Sequence, residues 1–193
     1  SLIIKNQHTI PVSNFMSHKL TNADLGNEVG AINYIRQSTH YFMRTKALQD
    51  YCFIPEITSE TFLPLNPKVF RDIIISKDSN IGEIAILDKD YPNIMLSGAL
   101  YKLPVAKMKY YLLAFIKHPV FRQQLDYLVP KGATIRHAKT LFLDCKIPLP
   151  TYNSENIIRY IENLMQAVIN KESLIKERHH AILKEIECEL RDN

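Results

Sequence analysis

The sequence predicts a mixed α/β protein, of the α+β kind, in which strands and short helices form a globular part followed by one long helix. Residues 1–104 contain short β-branched and apolar runs separated by turn residues, a pattern typical of strands. Apolar residues recur at helical spacing in residues 106–128, and neither Pro nor Gly occurs from Ser154 onward. We therefore predict a globular domain over residues 1–152 and a long spacer or dimerisation helix over residues 153–193.

The strands of the globular part are predicted from short apolar segments. Residues 31–36 alternate apolar and polar side chains, which indicates a half-buried strand. Residues 69–76 and 81–87 flank turn residues and predict a β-hairpin. Further strands are predicted at residues 2–4, 9–12 and 141–149, with one or two strands in residues 93–103, broken at Ser97-Gly98.

Helices are predicted after residue 104. Pro119 divides residues 106–128 into two short helices, because proline removes a hydrogen-bond donor and clashes with the preceding turn. In the long helix, apolar residues recur every seven positions, at Ile161, Val168, Ile175 and Ile182. A helix of this length would span roughly 58 Å, more than the globular part. Part of it is therefore expected to pair with another helix.

The distribution of charge points to a polyanionic partner. The formal net charge is +4, yet residues 101–150 contain nine Lys/Arg and two Asp/Glu. Residues 1–100 contain nine and ten, and residues 151–193 contain six and eight. A basic block in an otherwise near-neutral chain is typical of proteins that bind nucleic acid. Charge alone leaves a solvated basic face without a partner as an alternative.

Catalytic and metal-binding motifs find little support. Five glycines leave no Gly-rich phosphate-binding loop. Residues 66–69 lack the second proline and the aromatic residue of an adenine amino-methyltransferase motif. Asp144-Cys145-Lys146 has the spacing of half a nuclease metal motif, but two exposed side chains on one strand explain it more simply. His179 and His180 face different directions on a helix. We expect no catalytic residue, metal or cofactor.

The same survey predicts a soluble, cytoplasmic protein. No apolar run approaches about 18 residues, and no signal-peptide pattern begins the chain. The three cysteines form no CxxC pair and are odd in number, which favours free thiols in a reducing compartment. The first residue is Ser rather than Met, which fits a processed chain or a piece of a longer one.

Two polar clusters are candidates for contact with nucleic acid. The first is a basic loop with Gly132 and its neighbours, preceded by the cationic helix residues Lys117, His118 and Arg122. Cationic and hydroxyl side chains on a loop suit phosphate contacts, and arginine can also pair with guanine. The second cluster, residues 34–40, follows a predicted strand, and a plain strand-to-loop exit explains it equally well.

Several motifs, in a fixed order, carry a resemblance to a known family. They are Ile32-Asn33-Tyr34-Ile35-Arg36, residues 71–77, Asn80-Ile81-Gly82-Glu83-Ile84-Ala85, residues 111–121, residues 132–137, and Lys146-Ile147-Pro148-Leu149-Pro150 before the long helix. Over about residues 31–193 the chain resembles the DNA-specificity subunits of type I restriction-modification systems. Ser79-Asn80 stands where that family has glycine, a departure at the hairpin turn.

The resemblance implies a target recognition domain whose loops enter double-stranded DNA, with no catalytic activity of its own and prokaryotic cytoplasmic localisation. It implies a methyltransferase subunit as partner, with or without restriction subunits. It also implies self-association, or pairing with a second recognition unit, through helix 154–192. With the basic loop, it predicts these DNA contacts: Arg36, Lys77, Lys131, Thr134, Arg136, His137 and Lys139.

Three other functions remain open at this point. The chain is alternatively the C-terminal recognition domain of a fused adenine-N6 DNA methyltransferase. It is alternatively a coiled-coil adaptor that binds proteins but not DNA. The third alternative is a metal-dependent nuclease that uses Asp144 and Lys146.

Overall fold

The computed structural model describes residues 8–35, 40–48, 52–56, 61–62, 73–91, 93–129 and 137–191. Within these ranges the strands are β1 Thr9–Pro11, β2 Tyr34–Ile35, β3 Tyr41–Met43, β4 Thr61–Phe62, β5 Ile73–Ser76, β6 Ile84–Ile86, β7 Ile94–Leu96, β8 Leu100–Leu103 and β9 Lys146–Pro148. The α-helices are α1 Lys109–Lys117, α2 Pro119–Leu128 and α3 Ser154–Arg191. The predicted class, a globular part of strands and short helices followed by a long helix, is confirmed.

The predicted hairpin is confirmed and forms the centre of a three-stranded sheet. β5 pairs antiparallel with β6, Ile73 opposite Ile86, and on its other edge with β8, Ser76 opposite Leu100. Successive side chains of a strand point to opposite faces. Ile73 and Ile75 accordingly belong to one buried cluster and Ile74 to another, so β5 has a core on both faces. This explains its continuous apolar run.

The predicted strand at residues 93–103 does break at Ser97-Gly98, but its halves join different sheets. β7 pairs in parallel with β3, Tyr41 opposite Ile94, whereas β8 pairs with β5. The break therefore moves the chain from one sheet to the next.

The predicted strand at residues 31–36 is wrong for its first half. Ala31–Asn33 forms a 3-10 helix, and only Tyr34 and Ile35 form a strand, which pairs with β4. The side chain of Ile32 is 95% exposed, so the alternation of apolar residues does not bury one face. Residues 36, 2–4 and 69–72 lie outside the described ranges, and their predicted strands are not described.

The predicted strand at residues 141–149 is likewise shorter than expected. Leu141–Asp144 is a 3-10 helix, and only β9 is extended, pairing with β1 through Ile10 and Ile147. A 3-10 turn places residues three apart on one side. Phe142 and Cys145, three residues apart, are both fully buried.

The division of residues 106–128 at proline is confirmed. Pro119 occupies the first turn of α2, where its missing N–H would have had no partner within the helix. The amide of Val120 donates to Nδ1 of His118 at 3.3 Å, so His118 caps the helix. The buried side chains of α1, including Leu112 and Ile116, join the same core cluster as Ile73.

Helix α3 is one continuous element of 38 residues, about 57 Å long. Its first half packs on the globular part through Ile158, Ile161, Met165 and Ile169. Every residue from 177 to 191 is exposed, so this last part of the helix buries no side chain against the core. None of the described helices combines the length and apolarity needed to span a bilayer.

Candidate nucleic-acid interface

Of the seven predicted DNA contacts, the structure describes Lys77, His137 and Lys139. Arg36, Lys131, Thr134 and Arg136 lie outside the described residues. Lys77 follows β5, whereas His137 and Lys139 begin the segment that leads to residues 141–144. The fold brings these two distant segments together.

Asp78 joins the two segments. Its Oδ2 lies 2.5 Å from Nζ of Lys77, and its Oδ1 lies 2.7 Å from Nδ1 of His137. The side chain of His137 is 57% exposed, but those of Lys77 and Asp78 are 17% and 16% exposed. We call Lys77, Asp78, His137 and Lys139 the Asp78 cluster. One carboxylate thus offsets part of its positive charge.

The backbone also holds the Asp78 cluster together. Asp78 and His137 form an antiparallel β-bridge, and the amide of the buried Ala138 donates to the carbonyl of Lys77 at 2.6 Å. Lys139 has a φ of +47°, a left-handed conformation that reverses the chain after the bridge. The side chain of Lys139 is exposed, and the backbone that carries it is held by this bridge and hydrogen bond.

The turn after β5 is anchored by Ser76 and Gly82. The amide of Glu83 donates to Oγ of Ser76 at 2.9 Å, and this hydroxyl in turn donates to the carbonyl of Asn80. Gly82 has a φ of +75°, which favours glycine, and a side chain there would collide with Leu125 of α2. The turn is thus packed on α2, which fixes the position of the neighbouring Asp78 cluster.

The three cationic residues expected from the helices have roles within the fold. Arg122 donates to the carbonyl of Ile81 and pairs with the buried carboxylate of Glu83 at 2.6 Å. His118 caps α2, and Nζ of Lys117 lies 5.8 Å from the ring centroid of Phe53. Two of the nine Lys/Arg residues of the basic block, Lys117 and Arg122, therefore make contacts within the domain, and the candidate surface is smaller than the charge count suggested.

A cleft of about 390 Å³ adjoins the Asp78 cluster. Asp78 and Ser79 form one side of it. We call it the Ser97 cleft, and its other lining residues include Glu28, Tyr34, Arg44, Lys46 and Ser97.

Arg44 and Lys46 are cations of this surface that sequence reasoning missed. Both are exposed, and the guanidinium of Arg44 lies 5.9 Å from the ring centroid of Tyr34. Their signal was hidden because residues 1–100 have almost balanced charge overall. The fold thus adds two cations to the side of the Asp78 cluster.

A second arrangement of polar groups joins α3 to the globular part. The carboxylate of Glu172 accepts hydrogen bonds from the amides of Phe53 and Ile54, at 2.9 and 3.0 Å. Nζ of Lys176 donates to the carbonyls of Ile54 and Pro55, at 2.8 and 3.3 Å. Glu172 and Lys176, on one face of α3, thus bond both the amides and the carbonyls of a single loop. We call these two residues the Glu172 grip.

The hydroxyl of Ser173 adds a further bond to this junction. It donates to Oδ2 of Asp88 at 2.5 Å, and Tyr91 donates to Oδ1 at 2.8 Å. Burial acts to raise the pKa of Asp88, but these two hydrogen bonds stabilise the ionised form and lower the pKa. A cavity of about 710 Å³ lies at this junction, lined by both helix and loop residues.

The residues of the possible nuclease motif lie apart from this surface. Asp144 and Lys146 are exposed next to the β1–β9 pair, and the thiol between them, Cys145, is buried. Burial and the nearby charge of Asp144 raise the pKa of Cys145 to about 12. Among the residues that the structure describes, no group of three His, Cys, Asp or Glu side chains could hold a metal ion.

Comparison with known proteins assigns the fold. The structure is similar to a type I restriction-modification S subunit from M. genitalium, with a TM-score of 0.55 and 17% identity over 100% of this chain and 46% of that chain. It is also similar to the HsdS subunit from Thermoanaerobacter tengcongensis, with a TM-score of 0.52 and 16% identity over 92% of this chain and 41% of the other.

A third similar chain comes from a structure that concerns complex assembly and conformational transition of the type I R-M system. It has a TM-score of 0.52 and 16% identity, covering 97% of this chain and 45% of the other. No protein-family model and no curated protein matches the sequence. The fold expected from the resemblance is confirmed, and the chain spans less than half the length of each of these three.

Proposed function

We propose that this chain is one recognition unit of a type I restriction-modification specificity subunit, which binds double-stranded DNA sequence-specifically and performs no chemistry itself. In this proposal residues 1–152 contact DNA, and residues 153–193 set the distance to a second unit. A methyltransferase subunit, with or without restriction subunits, acts at the site that the chain selects.

The observation that carries the proposal is the extent of the structural similarity. It covers the globular part and the long helix together, over 100% of this chain, rather than a common sheet or helix pair alone. The neighbours named as S subunits are about twice as long, which fits a protein built from two such units.

The Asp78 cluster and the rim of the Ser97 cleft support the DNA-binding part. His137, Lys139, Arg44 and Lys46 are exposed cations or protonatable groups on adjoining segments. Side chains of this kind position a protein on the phosphate backbone. The predicted contacts at Arg36, Lys131, Thr134 and Arg136 belong to the same proposal.

The exposed apolar residues of α3 support the pairing of helices. Val168, Ile175 and Ile182 are 46%, 58% and 58% exposed and recur every seven residues. They lie roughly a quarter turn from the face that docks on the globular part, because neighbouring helical residues are about 100° apart. A stripe with this repeat suits another helix, and we propose that the equivalent helix of a second recognition unit covers it.

Titration of the chain against a fluorescent random duplex at several salt concentrations tests DNA binding. Affinity should fall steeply with salt, because bound phosphates release counterions. Replacing Lys77 and Lys139 together by Ala should weaken binding and reduce the slope of log K against log salt by about two.

Lys19 and Lys107 provide the matched control. Both are exposed, and they lie near the bridge of Met16 with Val105, beyond the opposite end of β8 from Lys77. Their double Ala variant removes the same charge but should bind like the unaltered chain. Equal losses in the two double variants, or no duplex binding at low salt, would contradict the proposal.

A further inference from the structure

Two buried polar groups beside the Asp78 cluster have no partner among the described residues. Ser97 is 7% exposed and forms part of the Ser97 cleft, and its hydroxyl has no hydrogen-bond partner there. Asn27 forms a β-bridge with Ser97, and its side-chain nitrogen is likewise buried without a hydrogen-bond partner among the described residues. Buried polar groups are rarely left unsatisfied. Of the two residues Ser97 lines the cleft, so its hydroxyl is suited to a ligand that completes its bonding.

The cleft also contains a carboxylate that glycine makes room for. Glu28 packs over Gly98, and a β-carbon at residue 98 would overlap its Oε1 and Cδ atoms. No positive φ requires glycine at this position. Glycine at residue 98 therefore leaves the space that the Glu28 side chain occupies.

The cleft is lined by charges of both signs. Its lining includes the carboxylates of Glu28 and Asp78, the cations Arg44 and Lys46, and Ser97. Glu28, Arg44 and Lys46 are exposed, whereas Asp78 is 16% exposed. A phosphate alone would be repelled by the two carboxylates. A ligand that carries both a hydrogen-bond donor and a phosphate matches this combination of carboxylates and cations. The volume of about 390 Å³ is within the usual range for small-ligand sites.

We propose that the Ser97 cleft lies against the major-groove edge of one base of the bound DNA, and that Glu28 and Ser97 select adenine or cytosine there. These two bases present an exocyclic amino group to the major groove, which a carboxylate and a hydroxyl accept from. Arg44 and Lys46 bind the adjoining phosphates. The inference rests on the proposed DNA binding, to which it adds one specificity-determining site and its chemistry.

Selection of duplexes from a randomised library by the full chain, followed by sequencing, tests this. The unaltered chain should enrich adenine or cytosine at one position in particular. Glu28→Ala should lower the discrimination at that position about tenfold and keep the other preferences. Gly98→Ala should have the same effect, because its methyl group displaces the Glu28 carboxylate.

Two further variants make the result interpretable. Ser97→Ala removes no hydrogen bond within the described structure, so it should fold normally and weaken the same preference. Asp90→Asn removes an exposed carboxylate outside the cleft lining and should leave every preference intact.

The outcomes separate this inference from the proposed function. Base preferences that survive unchanged in both Glu28→Ala and Ser97→Ala would overturn the selective role of the cleft and leave DNA binding standing. An equal loss of preference in Asp90→Asn would overturn it too, because charge rather than position would then be responsible. Failure of the unaltered chain to bind any duplex contradicts the proposed function itself.

Discussion

His137 and Asp78 are 59 residues apart in the sequence, yet Nδ1 of the histidine lies 2.7 Å from Oδ1 of the carboxylate. The same carboxylate contacts Lys77 at 2.5 Å. Asp78 therefore holds two of the proposed DNA contacts in place and offsets part of their charge. The cluster is organised by an anion, although its proposed partner is a polyanion.

Asp78→Asn is expected to raise affinity for a random duplex severalfold and to steepen its salt dependence by up to about one unit of slope. The amide keeps an acceptor for one neighbour but removes the negative charge. Fluorescence anisotropy at two salt concentrations measures both effects. Asp144→Asn, which removes an exposed carboxylate beside β9, is the control and should change neither. Unaltered affinity in a folded Asp78→Asn protein would argue that Lys77 and His137 do not face DNA.

The predicted contacts in the loop before His137 can be tested in the same assay. Replacing Lys131 and Arg136 together by Ala should weaken duplex binding and lower the salt slope by about two, since each side chain would neutralise one phosphate. Circular dichroism should show an unchanged fold. Binding that stays equal to that of the unaltered chain at low salt would remove this loop from the interface.

The Glu172 grip predicts a difference between two glutamates on one helix. Glu172→Ala leaves the amides of Phe53 and Ile54 without their acceptor and should lower the free energy of unfolding by about 1–3 kcal/mol. Glu177 pairs with Lys89 at 3.9 Å, and both side chains are exposed. Its replacement by Ala should therefore lower the free energy of unfolding by less than about 1 kcal/mol.

Chemical denaturation of the two glutamate variants measures the difference. Hydrogen exchange of the Phe53 and Ile54 amides should accelerate in Glu172→Ala alone. Equal stability of the two variants would show that the carboxylate does not secure this loop.

The exposed stripe of α3 predicts self-association of the chain. Replacing Ile175 and Ile182 together by Glu should abolish it without unfolding the protein, because both side chains are more than half exposed. Sedimentation at high micromolar concentration provides the measurement. Gln166→Glu with Asn170→Glu adds the same charge on the far side of the helix and should still associate. An unaltered chain that remains monomeric would count against pairing of two copies.

The buried thiol predicts alkaline sensitivity. Because burial raises the pKa of Cys145 to about 12, the folded thiol stays protonated where the unfolded one, with an ordinary value near 8.5, ionises. Its contribution to stability is complete below about pH 8.5 and is lost as pH rises toward 12.

Denaturation at about pH 8 and about pH 10.5 measures that loss. The difference in stability between the two conditions should shrink in Cys145→Ala and stay the same in Cys188→Ala, since Cys188 is exposed. A thiol reagent should modify Cys188 at once and Cys145 only on unfolding. Rapid modification of Cys145 in the folded protein would contradict its assigned burial.

Local sequence signals predicted the elements that depend on neighbouring residues. Pro119 marks a helix boundary by its own covalent geometry, and the absence of Pro and Gly after Ser154 permits one long helix. Residues 31–33 and 141–144 were predicted as strands because apolar spacing over three or four residues does not distinguish an extended segment from a 3-10 turn.

Contacts between residues far apart in the sequence could not be predicted from local patterns. Asp78 stands next to Lys77 in the sequence, but its bond to His137 requires the completed sheet and the following helices. The charge count of the sequence includes Arg122 as one positive charge, whereas the fold pairs it with Glu83, 39 residues away. Arg44 and Lys46 were overlooked for the opposite reason, since the acids of residues 1–100 balance their charge in the sum.

The Glu172 grip has a consequence for how the long helix transmits position. The carboxylate of Glu172 and the ammonium of Lys176 together form four hydrogen bonds with residues 53–55. Helix α3 can therefore neither slide along its axis nor rotate about it without breaking these bonds. The apolar stripe of α3 therefore keeps a fixed orientation relative to the Asp78 cluster. A partner that docks on the stripe is therefore held at a fixed orientation relative to the proposed DNA-binding surface, so α3 sets the angle between the two as well as their distance.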